Sequence, residues 1–271
     1  MKGSRILTDD RQGSGSRGVL SHGLFTVLKL LACVALALTA SPAIAQVASV
    51  GQVYSYTIKD KSAFEEGYRL HLAWHAGQHD ALVWYAWTVD SGPRKGAFID
   101  GTFGATFSQL DARPNPKGDG DDFVRNVSPY VAPLDVETWI LWAAPSTATP
   151  LEDKKPGTTL DAFFLQVEPG GTVSFEAGLE RLASKKRDAP QLTWYKVIRG
   201  GDLPTYVLML KRENLAQIET AGSTLVEMLR NAYGLDPAQT ENVLKNVRHI
   251  RGEIWSYESR LALIPGHALE P

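Results

Sequence analysis

The sequence predicts an α+β protein that contains two copies of one βαββαβ unit. The main observation is an internal repeat whose offset falls from 111 to 108 residues along the chain, as single-residue deletions in loops would produce. A common order of strands and helices and turn residues at corresponding places support the same prediction. The matching positions include Phe64 with Phe175, Gly67 with Gly178, Trp84 with Trp194, Gly92 with Gly201 and Asp111 with Glu219.

The first half begins with an alternating strand and then a helix that starts near Phe64. Ser62 is the expected N-cap, because a hydroxyl there can accept from the free backbone N–H groups of the first turn. A hairpin follows, with Ser91-Gly92-Pro93 at its turn. A short helix and a last strand close the half. The predicted strands are 53–58, 83–89, 97–103 and 138–143, and the short second helix is 121–127.

The second half has the same order. Its first helix starts near Phe175, with Ser174 or Thr172 as the expected N-cap. Gly234 ends one later helix, and the sequence Asp236-Pro-Ala-Gln239 opens another with a capping box and proline at the first helical position. The predicted strands are 163–167, 192–198, 205–210 and 253–261, and the later helices are 221–233 and 237–250.

This order of elements is the ferredoxin-like motif. A duplicated unit of this kind with aromatic strands resembles the dimeric α/β-barrel superfamily, which includes antibiotic-biosynthesis monooxygenases and NIPSNAP-type proteins. The resemblance covers most of residues 50–265 and implies two tandem ferredoxin-like units packed as an intramolecular pseudo-dimer, and hence a monomer. The expected divisions are a signal peptide at 1–45, unit 1 at 46–145, a linker at 146–159, unit 2 at 160–265 and a tail at 266–271.

The N-terminus predicts export. Arg17 and Lys29 precede an apolar stretch at 30–39, and Ala43-Ile44-Ala45 supplies the small residues of a signal-peptidase site. The expected cleavage after Ala45 predicts a periplasmic or secreted protein. The alternative is a lipoprotein box at 30–33, but most of the apolar stretch follows its cysteine.

Composition narrows the choice of partners. The leader carries five basic and two acidic residues, so the remaining 226 residues would have 23 basic and 28 acidic ones, a net charge of −5. That balance argues against nucleic acid and against an anionic membrane after cleavage. The single cysteine, Cys33, would leave with the leader, so neither a disulfide nor a cysteine metal site is expected.

The stretch HLAWHAGQH sets three histidines at four-residue intervals. At 100° per residue, Tyr68, His71 and His75 share one face of the predicted helix with Phe64. Gly77 should end the helix, which leaves His79 in the loop. His71 occupies the position of Leu182 in the repeat and should face the sheet. His75 matches Lys186 and should lie nearer the exposed end.

The sequence predicts neither a metal nor another cofactor. Two helical histidines need a third ligand, and the residue after His71 is Leu72 rather than the glutamate of the zinc-protease motif. Asp119, Asp121 and Asp122 lack the spacing of an EF-hand, and we expect them to cap a helix and to remain solvated.

Three functions remain open, and whether the protein is an enzyme is open with them. The first is the binding of a small, partly apolar ligand between helix and sheet of unit 1, with His75, Trp84 and Trp87 as contacts. The second is a cofactor-free monooxygenase or isomerase, with His71 as general base and Tyr68 or Tyr85 as orienting donor. The third is a non-catalytic structural or interaction protein.

Overall fold

The structure, a computed structural model, describes residues 48–188, 190–214 and 216–269. The predicted signal peptide and its cleavage site lie outside these residues. The strands are β1 (Val50–Ile58), β2 (Tyr85–Ser91), β3 (Ala97–Ala105), β4 (Val131–Leu141), β5 (Thr159–Val167), β6 (Leu192–Arg199), β7 (Thr205–Arg212) and β8 (Val247–Tyr257). The helices are α1 (Lys61–Gly77), α2 (Phe107–Asp111), α3 (Pro116–Asn126), α4 (Thr172–Ala183), α5 (Gln217–Ala221), α6 (Leu225–Tyr233) and α7 (Pro237–Leu244).

The eight strands form one closed antiparallel barrel in the order β1-β3-β2-β8-β5-β7-β6-β4. The first four strands are neighbours in the order β4-β1-β3-β2, and the last four in the order β8-β5-β7-β6. The two groups join where β2 pairs with β8 and β4 pairs with β6. Closure matters for stability because it leaves no unpaired strand edge.

Side chains fill the interior of the barrel. Successive residues of a strand point to opposite faces, so Tyr85 and Trp87 of β2 face inward while Trp84 and Ala86 face outward. The inward rings meet those of the second half, as in the 5.8 Å contact between the rings of Trp87 and Trp255. The interior is therefore a packed aromatic core rather than a channel.

Two outer layers of helices cover the barrel. In the first half α1 packs Phe64, Tyr68 and Leu72 against the outward face of β2 and β3. In the second half α4 packs Phe175 and Leu179 against its own strands, with α6 in the same apolar cluster. Burying such a side chain stabilises the fold by about 1.5–3 kcal/mol, so each helix is held chiefly by its apolar face.

In each half the order of strands and helical segments follows the predicted βαββαβ pattern, but several elements begin or end at other residues than predicted. The N-cap of α1 is Asp60 rather than Ser62, and its carboxylate accepts from the backbone N–H of Ala63 at 3.1 Å. Helix α4 begins at Thr172, and its N-cap residue, Gly171, makes no side-chain cap. Helix α7 ends six residues before the predicted position because β8 begins at Val247 and takes over the backbone hydrogen bonds.

A buried ion pair fastens the hairpin of the first half to β8. Arg94, in the turn between β2 and β3, donates two hydrogen bonds of 2.9 and 2.8 Å to the carboxylate of Glu253. The indole N–H of Trp255 donates to the same carboxylate at 2.8 Å. Burial opposes ionisation, but these bonds and the charge of Arg94 hold the pKa of Glu253 below its usual value.

Among the described residues, no helix has the length and apolar character needed to cross a bilayer.

Candidate functional site

Helix α1 and helix α3 approach each other unusually closely. A Cβ atom on Gly67 would lie 1.8 Å from the backbone oxygen of Asn126, so only glycine permits this crossing. His71 and His75 lie one and two turns after Gly67 and therefore face α3 as well. The contact places the two imidazole rings opposite the acidic face of α3.

Helix α3 presents that acidic face because of where it begins. Asn115 caps it by accepting from the N–H of Gly118 at 3.0 Å, and Pro116 occupies the first turn. This start turns Asp119 and Asp122 toward α1, while Asp121 is exposed and pairs with Lys117. The expectation that all three acids are solvated was therefore wrong for Asp119 and Asp122.

His71 is held by a carboxylate behind it. Its Nδ1 lies 2.8 Å from Oδ1 of Asp122, and Asn126 donates to the other oxygen of that carboxylate at 3.0 Å. Because an ionised carboxylate can only accept, Nδ1 carries the hydrogen and Nε2 carries a lone pair. Burial is the main cause that lowers the pKa of His71, and the bond to Asp122 opposes it.

His75 has the same arrangement. It is only 4% exposed, so the expectation that it lies near the exposed end of the helix was wrong. Its Nδ1 lies 2.9 Å from Oδ2 of Asp80. The indole of Trp84 donates to the same oxygen, and the backbone N–H of Leu82 donates to Oδ1. Burial opposes protonation, but the bonds to Asp119 and Asp80 outweigh it and raise the pKa of His75.

Asp119 lies between the two rings. Its Oδ1 is 3.5 Å from Nε2 of His71 and 3.3 Å from Nε2 of His75. Its Oδ2 is 3.1 Å from the guanidinium of Arg113. Burial would raise the pKa of Asp119, but its contacts with His75 and Arg113 lower it, so the carboxylate is ionised near neutral pH. One nitrogen of each imidazole ring and one carboxylate oxygen of Asp119 lie within 4.8 Å of one another.

These groups form one wall of a pocket of about 260 Å³ between the helices and the outer face of the sheet. Tyr68 and Asp100 form a second polar group that lines the same pocket. The hydroxyl of Tyr68 donates to Oδ2 of Asp100 at 2.8 Å. Burial raises the pKa of Asp100 to about 7. The remaining lining is largely apolar or aromatic: Tyr54, Tyr56, Leu72, Trp84, Phe123 and Val124.

The structure brings together four of the six residues that the sequence nominated. His71, His75, Tyr68 and Trp84 line the pocket, with the rings of His75 and Trp84 4.9 Å apart. Tyr85 and Trp87 do not join them, because they sit on the inward face of β2 within the barrel core. The hydroxyl of Tyr85 donates to the backbone oxygen of Leu151 at 2.6 Å, so it cannot orient a substrate beside His71.

Sequence reasoning missed five polar residues of this site. Because successive side chains of a strand point to opposite faces, the sequence could have placed Trp84 on the other face from Tyr85 and Trp87. The i, i+3 spacing of Asp119 and Asp122 could have indicated that they share one face of a helix. Nothing in the sequence indicates that this face meets α1. The missed residues are Asp80, Asp100, Arg113, Asp119 and Asp122.

Solved structures share this fold. A "putative monooxygenase" from Lactobacillus acidophilus NCFM aligns with a TM-score of 0.51 and 11% identity over 78% of this chain and 94% of that one. Another from Fusobacterium nucleatum subsp. nucleatum aligns with a TM-score of 0.53 and 8% identity over 78% and 93%. An anthrone oxidase-like protein aligns with a TM-score of 0.47 and 11% identity over 81% of this chain and 94% of that one.

No protein-family model and no curated sequence matches the chain. The two monooxygenase-like structures share the fold of this chain at 11% and 8% identity. At such low identity the similarity shows the fold alone, and the function must be argued from the site itself.

Proposed function

We propose that the protein binds a small, partly apolar ligand in the pocket between α1, α3 and the outer face of the first-half sheet. The observation that carries this proposal is a pocket of about 260 Å³ with mainly aromatic and aliphatic walls and polar groups at one side. Small-molecule sites commonly combine an apolar lining with a few fixed polar groups.

The second half supplies the contrast. There the equivalent of His71 is Leu182, which is buried in a continuous apolar cluster with Leu179 and Met228. The equivalent of His75, Lys186, donates to the backbone oxygen of Ser146 at 2.9 Å. Leu182 is therefore part of an apolar core where the first half has His71, and Lys186 lies beyond the end of α4, so the second half has no such pair of polar side chains on its helix; this contrast supports a binding role for the first half.

The walls indicate the ligand chemistry. Trp84 and Phe123 offer faces to a flat apolar group. Arg113 and the two imidazoles lie beside these rings and suit an oxygen-bearing group such as a carboxylate, phenol or enol. The ligand class that fits is a small aromatic or branched molecule with one such group.

Ligand-observed NMR with benzoate and simple phenols tests this proposal. Gly120 lines the pocket with no heavy atom within 4 Å of an added Cβ, so Gly120→Leu should block the pocket without disturbing the fold. Gly77→Leu is the matched control, since its surroundings are also open and lie outside the pocket. We expect saturation transfer in the wild type and in the control. No transfer in any of them, or equal transfer in Gly120→Leu, would contradict the proposal.

A cofactor-free enzyme of the monooxygenase or isomerase type is the second candidate function. It is favoured by the 2.8 Å contact of His71 Nδ1 with Asp122, which leaves the Nε2 lone pair facing the pocket as a general base requires. The hydroxyl of Tyr68 lies on the same wall as an orienting group. Turnover that persists with a chelator present and is lost in His71→Gln would support this candidate, whereas equal turnover in both proteins would reject it.

We also propose that the two halves are tandem ferredoxin-like units, 46–145 and 160–265, which act as a pseudo-dimer within a monomer. The support is that each group of four strands has the same order and that β2–β8 and β4–β6 pairing closes the barrel within one chain. Light scattering coupled to size-exclusion chromatography should give the mass of one chain. A dimer mass at micromolar concentration would contradict the monomer proposal.

Export is the last part of the proposed function. It is supported by the basic start, the apolar stretch and the Ala43-Ile44-Ala45 exit of the sequence. Mass spectrometry of the protein from the periplasm and medium of a Gram-negative host should find a chain that starts at Gln46. A full-length chain in the cytoplasm would contradict it.

A further inference from the structure

Three electron-pair donors converge on one point at the wall of the pocket. The carboxylates of Asp122 and Asp80 accept from the Nδ1 atoms of His71 and His75, so neutral rings turn their Nε2 lone pairs toward Asp119. Oδ1 of Asp119 is 3.5 and 3.3 Å from these nitrogens. A protonated ring can donate to Asp119, whereas with both rings neutral the three electron-pair donors face one another, and a cation between them would bind all three.

Every one of these donors is also anchored on its far side. Asp122 holds His71, Asp80 holds His75, and the guanidinium of Arg113 holds the second oxygen of Asp119 at 3.1 Å. Histidines that bind metals almost always donate their other N–H to a carboxylate or carbonyl, which fixes the ring and its tautomer. This site has that outer arrangement for both histidines.

The local charges point the same way. Asp80, Asp119 and Asp122 bring three negative charges to a largely buried cluster, and Arg113 supplies one positive charge in contact with them. Arg125 reaches only 4.0 Å from Asp122 and is mostly exposed, so solvent screens it. A divalent cation would bring the cluster to neutrality.

We propose that His71, His75 and Asp119 bind a divalent transition-metal ion of the zinc type. Ligands of a tetrahedral zinc ion with bonds of about 2.0–2.1 Å lie roughly 3.4 Å apart, which matches the separations of 3.3 and 3.5 Å. The fourth position faces the pocket, as in zinc sites that accept water or a ligand oxygen. This inference goes beyond the ligand pocket and does not require it, because the metal can be titrated with no organic ligand present.

Calorimetric titration with zinc tests the site. The protein is first dialysed against a chelator and then against buffer, and zinc chloride is titrated in, with cobalt(II) absorption as a second readout of coordination by nitrogen and oxygen. We expect one ion per chain and a zinc-dependent rise in melting temperature, because a ligand that binds only the folded state stabilises it. Cobalt should give the visible bands of a four- or five-coordinate ion.

Matched variants locate the ion. Asp119→Asn should weaken zinc binding by roughly 100-fold or more, whereas Asp121→Asn, on the exposed side of the same helix, should leave it unchanged. His75→Gln and the exposed His79→Gln make a second pair. Asp122→Asn removes only the support of His71 and should cost roughly 10- to 100-fold. Circular dichroism confirms folding of each variant.

Two results would overturn the metal site: no stoichiometric zinc binding by the wild type, or equal binding by Asp119→Asn and Asp121→Asn. Neither result would contradict the proposal that the pocket binds an aromatic ligand, because that proposal is tested with aromatic probes and Gly120→Leu.

Discussion

Replacing Asp100 with asparagine should stabilise the protein at alkaline pH and not at acidic pH. Asp100 is buried on β3 behind the pocket, with its Oδ2 accepting from Tyr68 and its Oδ1 without a partner among the described residues. Burial is the main cause that raises its pKa from 3.8 to about 7. The folded state therefore keeps a proton that the unfolded chain releases between these two values.

The sign and size follow from linkage. Because the folded state binds more protons between pH 4 and 7, stability falls as pH rises through this window. A pKa raised from 3.8 to about 7 corresponds to a loss of about 4 kcal/mol once Asp100 is fully ionised. Asparagine avoids ionisation but buries an unpaired amide N–H, which costs about 1–3 kcal/mol. The net gain expected for Asp100→Asn at pH 8 is therefore about 1–3 kcal/mol.

Urea unfolding of both proteins at pH 5 and pH 8 measures this difference. A chelator is included, because a cation at the nearby histidines would itself favour ionised Asp100. We expect Asp100→Asn to exceed the wild type at pH 8 and to equal it or fall slightly below it at pH 5. A difference of the same sign and size at both pH values would contradict a raised pKa for Asp100.

Two further predictions concern packing and the buried ion pair. Gly67→Ala should destabilise the fold by about 1–3 kcal/mol or more, because the added methyl overlaps the backbone of α3. Gly77→Ala, on the same helix, has open space around the added methyl and should cost nothing. Equal melting temperatures for the two variants would contradict the close crossing of α1 and α3. Arg94→Met should cost about 1–3 kcal/mol in urea unfolding at pH 7, since it removes two hydrogen bonds to the buried carboxylate of Glu253 and leaves Arg251 and Trp255 as its partners. The cost should be smaller at acidic pH, where that carboxylate can take up a proton. Arg125→Met, at an exposed position, should change stability by less than about 0.5 kcal/mol, and a loss like that of Arg94→Met would remove the role assigned to the ion pair.

The sequence predicted the elements that depend on local periodicity. The 3.6-residue periodicity placed Phe64, Tyr68, His71 and His75 on one face of α1, and the structure shows that face buried, including His75, which was expected nearer the exposed end. The end of α1 at Gly77 was also as predicted. These features depend on residues close together in the chain, which is why a pattern could indicate them.

The sequence could not predict what meets that face. Asp119 and Asp122 are more than 40 residues from the histidines, and their approach depends on Gly67 and on the capping of α3 by Asn115. The same limit explains why His75 was expected near the exposed end. Its burial comes from the contact with α3 and from Asp80 in the loop after α1, and neither could be derived from the local pattern of the helix.

Anomalous diffraction at the zinc edge, from crystals grown with one equivalent of zinc, shows whether an ion lies between the two histidines and Asp119. We expect one peak within about 2.0–2.2 Å of Nε2 of His71, Nε2 of His75 and Oδ1 of Asp119. A peak only at the exposed His79, or density that shows these three side chains turned away from one another, would contradict it.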